Sequence, residues 1–305
     1  MTDELGTELL DAGRAQPGQA VSLQLAYRPP YCAEQVFGFL GLRAVKGVET
    51  WDGTTYSRTL GLPRGAGVVS LTPLPGVIQC DLRLDDWRDL QVAVVRCRRL
   101  LDLDADPVAI DSALRDDPLL RVCVDARPGL RSPGHVDGAE VAVRAVLGQQ
   151  VSVAGARTQA DRLVALLGEP LRFPSDGLTH LFPSSKALAE MNPDQLRLPM
   201  ARKRSLMGMC RALADGEISI DVGADRSELG ARLLALPGIG PWTVAYIALR
   251  ALGDPDVFLP TDLGVKHALV RLGADGSPRS ASAIAEQWRP WRSYALHHLW
   301  SSLSS

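Results

Sequence analysis

The segment Leu236-Pro237-Gly238-Ile239-Gly240-Pro241-Trp242 decides how this chain reads. It joins two segments with amphipathic spacing, predicted as helices over 227–236 and 241–252. Ser227 is the expected N-cap of the first, and Pro241 suits the first position of the second. Two glycines flank one isoleucine, so the backbone can turn tightly while Ile239 anchors the loop. The amides of Gly238 and Gly240, with the start of the second helix, then point outward together. That makes an anion site without a positive side chain. The pattern predicts a helix-hairpin-helix gripping a DNA phosphate, although an ordinary turn between helices shares its Pro-Gly composition.

Working outward, Val257-Phe258-Leu259-Pro260-Thr261-Asp262-Leu263-Gly264-Val265-Lys266 begins shortly after Trp242. An extended, proline-containing stretch delivers Asp262 to a helix start, where an aspartate is a good N-cap. Helix-terminal amides favour its charged form, so Asp262 is expected to be ionised near neutral pH. A carboxylate at a pocket floor stabilises an oxocarbenium-like sugar cation, the transition state of glycosidic cleavage.

The chain divides into a tail, residues 1–20, an α+β region, 21–106, and a helical region, 107–305. Val21–Tyr27 alternates apolar and polar as a half-buried strand does. A helix follows over 31–45, then strands near 48–60, 67–72 and 77–84 broken by turn residues, then a helix over 88–103. Such spacing predicts an antiparallel meander. Beyond 107 the strand signal disappears. Helices are expected near 108–125, 138–149, 151–168, 185–191, 201–215, 227–236, 241–252, 263–272 and 280–300, giving an all-α region.

Composition narrows the function classes. The 305 residues carry 33 basic and 35 acidic groups, net −2, which weighs against holding nucleic acid by bulk electrostatics. No apolar run reaches membrane-spanning length, and the N-terminus lacks the pattern of a secretory signal, so a cytoplasmic location is expected. The cysteines at 32, 80, 97, 123 and 210 form no C-x-x-C, and no histidine pattern suits a zinc hydrolase; no metal site from side chains is expected.

At this point the sequence resembles the helix-hairpin-helix/Gly-Pro-Asp superfamily of DNA glycosylases, and within it the bacterial 3-methyladenine DNA glycosylase II branch. The likeness rests on the hairpin and Asp262, on Pro29-Pro30-Tyr31, Gly38-Phe39-Leu40, Arg43-Ala44-Val45 and Tyr56-Ser57-Arg58. It continues through Ala126–Leu130, Arg144–Gln149 and Trp291–Leu296, from about Tyr27 to Trp300. The resemblance implies a TATA-binding-protein-like antiparallel-sheet domain beside a helical glycosylase domain. Lyase-competent relatives carry a lysine two positions after the second glycine, where this chain has Trp242. Many relatives hold a C-terminal four-cysteine cluster, and no cysteine follows Cys210 here. The implied enzyme is therefore monofunctional, with water as nucleophile.

The resemblance also implies the site. Asp262 is the catalytic residue; Trp242, Tyr246, Trp300 and Phe39 line the base pocket; Gly238, Ile239 and Gly240 contact DNA. Gln150 falls where the family inserts a wedge into the gap left by a flipped base. No cofactor is required, although the hairpin backbone around Leu236 and Gly238 is where the family holds a monovalent cation. The implied partner is double-stranded DNA bearing 3-methyladenine or 7-methylguanine, bound by a monomer associated with the nucleoid. An electron-rich aromatic cleft attracts a cationic base by about 2 kcal/mol when desolvated. A cationic purine is already a good leaving group, so one carboxylate suffices. Deaminated or oxidised purines, or a non-catalytic DNA-binding module, are the alternatives. Residues 201–305 carry 12 basic and 10 acidic groups. Phosphate contacts made by amides then predict a shallow salt dependence of DNA binding, with a log–log slope well short of about −8.

Overall fold

The computed structural model describes residues 19–303; most of the tail expected over 1–20 lies outside them. A five-stranded antiparallel sheet, ordered β1-β5-β4-β3-β2, opens the fold. Its strands are β1 (Ala20–Ala26), β2 (Glu49–Trp51), β3 (Tyr56–Leu62), β4 (Gly65–Leu74) and β5 (Val77–Leu84). Strands β2 to β5 form the expected meander, and β1 closes the far edge in register Leu23 to Cys80 and Leu25 to Ile78. Period-two burial along β5 turns Ile78, Cys80, Leu82 and Leu84 to one face. Helices α1 (Ala33–Leu42) and α2 (Leu90–Leu100) cover that face with Phe37, Leu40, Ala93 and Cys97, forming the first core.

The remaining chain is mostly helical: α3 (Pro107–Arg115), α4 (Pro118–Ala126), α5 (Gly138–Leu147), α6 (Val153–Leu167), α7 (Ser185–Glu190), α8 (Met200–Ala214), α9 (Arg226–Leu234), α10 (Pro241–Ile247), α11 (Leu263–Arg271), α12 (Pro278–Ala285) and α13 (Arg292–Ser302). Strands do not stop at 107, however. A hairpin of β6 (Pro170–Ser175) and β7 (Leu178–His180) interrupts the helices, and the Gly47 carbonyl accepts from the Thr179 and His180 amides, tying it to the first region. The expected helix 108–125 is two helices, because Asp117 caps a new one at Pro118. The expected helix 280–300 likewise breaks around Pro290, which cannot donate in a helix interior.

Two further cores form in the helical part. One gathers α5, α6, α8 and α9, and takes in Val45 and Val48 from the N-terminal side. The other gathers α3, α4, α11, α12 and α13 around Leu249, Phe258 and Trp288. The candidate site lies where the three cores meet. Phe39 packs on the sheet core, Trp242 and Trp300 on the last, and Tyr246 on both helical cores.

A buried ionic network locks the sheet to α5. Arg58 on β3 pairs with Glu140 (2.8 Å) and lies 3.5 Å from Glu49; Arg144 reaches both Glu49 (2.9 Å) and Glu140 (2.8 Å). Tyr56 donates to Glu49 as well. Glu49, His135 and Glu140 bring possible metal-ligand atoms within 4.8 Å of one another, but both carboxylates are already held by guanidinium groups. Burial alone would raise the Glu140 carboxyl, yet Arg58, His135 and Arg144 hold it well below the usual carboxylate range.

Candidate active site

The hairpin between α9 and α10 is built around Gly238 and Ile239. Gly238 has φ +78°, and a Cβ there would stand 1.9 Å from the Ser205 hydroxyl oxygen on α8. Conformation and space both demand glycine. Ile239 is buried in the helical core, so only its backbone can meet a ligand. Its amide closes the turn on the Leu236 carbonyl (3.1 Å). The amides of Gly238 and Gly240 make no hydrogen bond among the described residues. Gly240 caps α10, with Pro241 at its first turn. The cap of α9 is Asp225, whose side chain accepts from the Glu228 amide; Ser227, the expected cap, is the second residue of the helix.

A residue missed in the sequence ties this hairpin to the loop after α5. Gln149 Nε2 donates to the Gly238 carbonyl and to Thr243 Oγ1, both at 3.0 Å. A side-chain amide beside a hairpin glycine leaves no periodic signal. Gln150 follows it, exposed and at φ +55°, a backbone conformation that costs energy for a residue other than glycine. Val151 and Val153, next in the chain, also present exposed apolar side chains.

Asp262 caps α11 and is the convergence point of the site. Its Oδ1 accepts from the Val265 amide (3.2 Å) and from Trp300 Nε1 (3.0 Å), and its Oδ2 accepts from Trp242 Nε1 (3.1 Å). Two tryptophans expected only as pocket walls therefore also orient the carboxylate. Gly264 permits this: a Cβ there would lie 3.0 Å from both Asp262 Oδ1 and the Trp300 ring. A glycine in the first turn of a helix was the available sequence signal, since the position otherwise favours residues of better helix propensity.

The aromatic residues assemble as two stacked pairs. Trp242 and Tyr246, one turn apart on α10, stack at 5.2 Å and 10°; Phe39 and Trp300 stack at 6.3 Å and 19°. All four, with Asp262, are half-buried. His297 on α13 sets its ring edge-on to both Phe39 and Trp300 at 5.1 Å. Burial, and then Arg250 and Arg43, push this imidazole well below its ordinary value, so it is neutral.

Two arginines complete the wall. Arg43 lies 3.7 Å over the Phe39 ring centroid and Arg250, in a π-helical turn extending α10 (Ala248–Leu252), lies 4.7 Å from it. Arg250 also donates to the Tyr246 hydroxyl (3.2 Å). Burial and the neighbouring Arg250 and Arg144 pull the Arg43 guanidinium down to about 10, against the favourable pull of Tyr246. Burial would raise the Tyr246 phenol, but Arg250, Arg43 and Arg144 outweigh it and hold the phenol below its usual value. The Phe39 π-system that the sequence reading offers to a cationic base is thus already engaged by protein cations.

Comparison with known proteins follows the same lines. Residues 22–137 match the AlkA N-terminal domain. The chain is 37% identical to DNA-3-methyladenine glycosylase 2 of Escherichia coli over 284 residues, covering 90% of this chain and 95% of that protein. It is 51% identical over 283 residues to a probable bifunctional transcriptional activator/DNA repair enzyme AlkA of Mycobacterium tuberculosis, covering 93% of this chain but 57% of that protein. The chain therefore spans little more than half the length of its mycobacterial relative. The 3-methyladenine DNA-glycosylase structure from Archaeoglobus fulgidus shares the fold, with a TM-score of 0.78 at 21% identity over 91% of this chain and 97% of that one. Sheet, hairpin, Asp262 and sequence identity agree: the chain belongs to the AlkA family of helix-hairpin-helix DNA glycosylases.

Proposed function

We propose that this protein is a monofunctional DNA glycosylase that hydrolyses the N-glycosidic bond of alkylated purines, 3-methyladenine and 7-methylguanine, in double-stranded DNA. The observation that carries the reading is Asp262, a carboxylate fixed by three N–H donors, two of them from the tryptophans of two stacked aromatic pairs. Among the described residues its Oδ2 accepts the Trp242 indole alone, which leaves acceptor capacity for a developing sugar cation or an attacking water. The stacked Trp242–Tyr246 pair offers an apolar face for a base flipped from the duplex. Free amides at Gly238 and Gly240 suit a backbone phosphate, and Gln150 with Val151 suits the vacated stack.

Trp242 stands where a Schiff-base lysine would, so strand cleavage is not part of the reading. No cofactor enters the chemistry. The Leu236 and Gly238 carbonyls each accept one hydrogen bond, from the Ile239 amide and Gln149, and each keeps a second lone pair. They fit a monovalent cation that would stiffen the turn. The enzyme is expected to act as a monomer on the nucleoid, and among the described residues no helix is long and apolar enough to cross a membrane.

Base release from randomly methylated duplex DNA tests the proposal. Release of 3-methyladenine and 7-methylguanine with the strand left intact is expected. Release of neither base, or strand scission without added base, would refute it.

A further inference from the structure

Four arginines crowd the junction of the three cores, and they fall into two classes. Arg58 and Arg144 share Glu49 and Glu140. Among the described residues Arg43 and Arg250 pair with no carboxylate. Arg43 Nη1 donates to the Phe39 carbonyl (3.1 Å), and Arg250 Nη2 to the Gly134 carbonyl (2.9 Å). Arg250 is 4% exposed with its Nε unpartnered, and the neighbouring His297, 1% exposed, has an unpartnered Nε2. Arg43 beside it is half-buried; a buried guanidinium such as that of Arg250 is costly without a counter-charge, and the unmet polarity of Arg250 and His297 calls for an acceptor brought from outside. Both cations lie against Phe39, and Tyr246 accepts from Arg250, so the missing acceptor arrives among aromatic rings. A flat heteroaromatic ring meets both requirements, whereas a phosphate needs no aromatic walls. A cationic base gains nothing from this side, because two like charges already stand there.

We propose that Arg43, supported by Arg250 and His297, is a specificity-determining residue that reads the acceptor edge of the flipped purine, O6 with N7, and so favours 6-oxo leaving bases. The inference rests on the glycosylase reading above. A planar guanidinium matches the O6/N7 pair of a purine in two parallel hydrogen bonds. When a neutral 6-oxo purine departs, the C1′–N9 electron pair moves into the ring, and O6 and N7 share the negative charge beside Arg43. Water bonds to C1′ and loses its proton, and the freed base takes a proton from solvent. A lesion cationic before cleavage leaves as a neutral base and gains much less from this contact.

Single-turnover base release from duplexes bearing one hypoxanthine, one 7-methylguanine or one 3-methyladenine tests the assignment, comparing wild type with Arg43→Met and Arg43→Lys. The readout is the ratio of hypoxanthine to 3-methyladenine release, which a merely structural loss would not move. We expect Arg43→Met to lower that ratio by about tenfold to a hundredfold, the effect of a hydrogen bond to a charged group. The 7-methylguanine ratio, with O6 present and N7 blocked, should fall less. Arg43→Lys keeps the charge but not the fork and should lower the hypoxanthine ratio by at least about threefold; it decides the matter if the methionine variant does not fold. A ratio unchanged within twofold in the folded variants overturns the proposal, as does a wild type that releases 3-methyladenine but no hypoxanthine. Failure of the wild type to release any methylated base would instead refute the glycosylase reading.

Discussion

Glu140 and Asp262 are two carboxylates held by very different company. Glu140 is sealed between the sheet and α5 and surrounded by Arg58, Arg144 and His135. Asp262 is half-buried at a helix start and held by two indoles and an amide, all neutral donors. Cations quench a carboxylate: its charge is spent on the protein, and it serves architecture. Neutral N–H groups fix direction while leaving the negative charge uncancelled, which suits a group that must meet a sugar cation. The arginines show the same division: Arg58 and Arg144 have counter-charges, and among the described residues Arg43 and Arg250 do not.

Breaking the sealed side should produce the largest effect. Arg58→Met leaves Glu49 and Glu140 short of one cation and is expected to cost about 3–5 kcal/mol of stability by denaturant unfolding. A loss below about 1 kcal/mol would mean that the network does not hold the sheet to α5. On the hairpin side, Gly238→Ala forces a Cβ against Ser205 at a positive φ, and about 2–3 kcal/mol should be lost. DNA affinity should fall with it, whereas loss of affinity is not expected from Arg58→Met at temperatures where that variant stays folded. Equal weakening of DNA binding by both would blur the contrast between the two regions.

Acid sharpens it further. Burial, chiefly, and then Arg127 push the His298 imidazole down to about 4, while burial and the adjacent arginines push His297 well below its usual value. Groups with folded values below their unfolded ones contribute stability that is present at high pH. It is lost as pH falls below about 6.5, because the unfolded chain then binds protons the folded one refuses. For His298 alone, the loss between pH 7 and pH 5 should be about 2 kcal/mol. His298→Gln should flatten that part of the stability profile, and an unchanged slope would show that the histidine is not held neutral.

Much of this molecule is legible in the sequence, for reasons that particular residues make plain. Period-two alternation exposed β1 and the meander, and Pro-Gly punctuation exposed the hairpin. Asp262 was visible because a cap after an extended proline stretch is a local event. The β6–β7 hairpin was hidden, since Pro170–Ser175 is short, mostly exposed and interrupted by prolines. The break at Pro118 is masked in the sequence because apolar spacing continues across it. What local pattern could not carry were meetings between distant residues. Gln149 reaching the hairpin, Trp300 donating to Asp262, and Arg43 beside Arg250 each join positions far apart in the chain.

The distinction between a spent and an unspent carboxylate is tested most directly at Asp262. Asparagine keeps the Oδ1 cap but removes the charge and turns an amide donor toward the Trp242 indole, so Asp262→Asn should cost about 1–3 kcal/mol of stability while the fold is retained. Single-turnover release of 7-methylguanine by Asp262→Asn, beside wild type at equal DNA occupancy, is the decisive measurement. We expect release to drop about 100-fold to 1000-fold with DNA binding largely retained. Release within a few-fold of wild type would contradict the assignment of Asp262 as the group that stabilises the sugar cation.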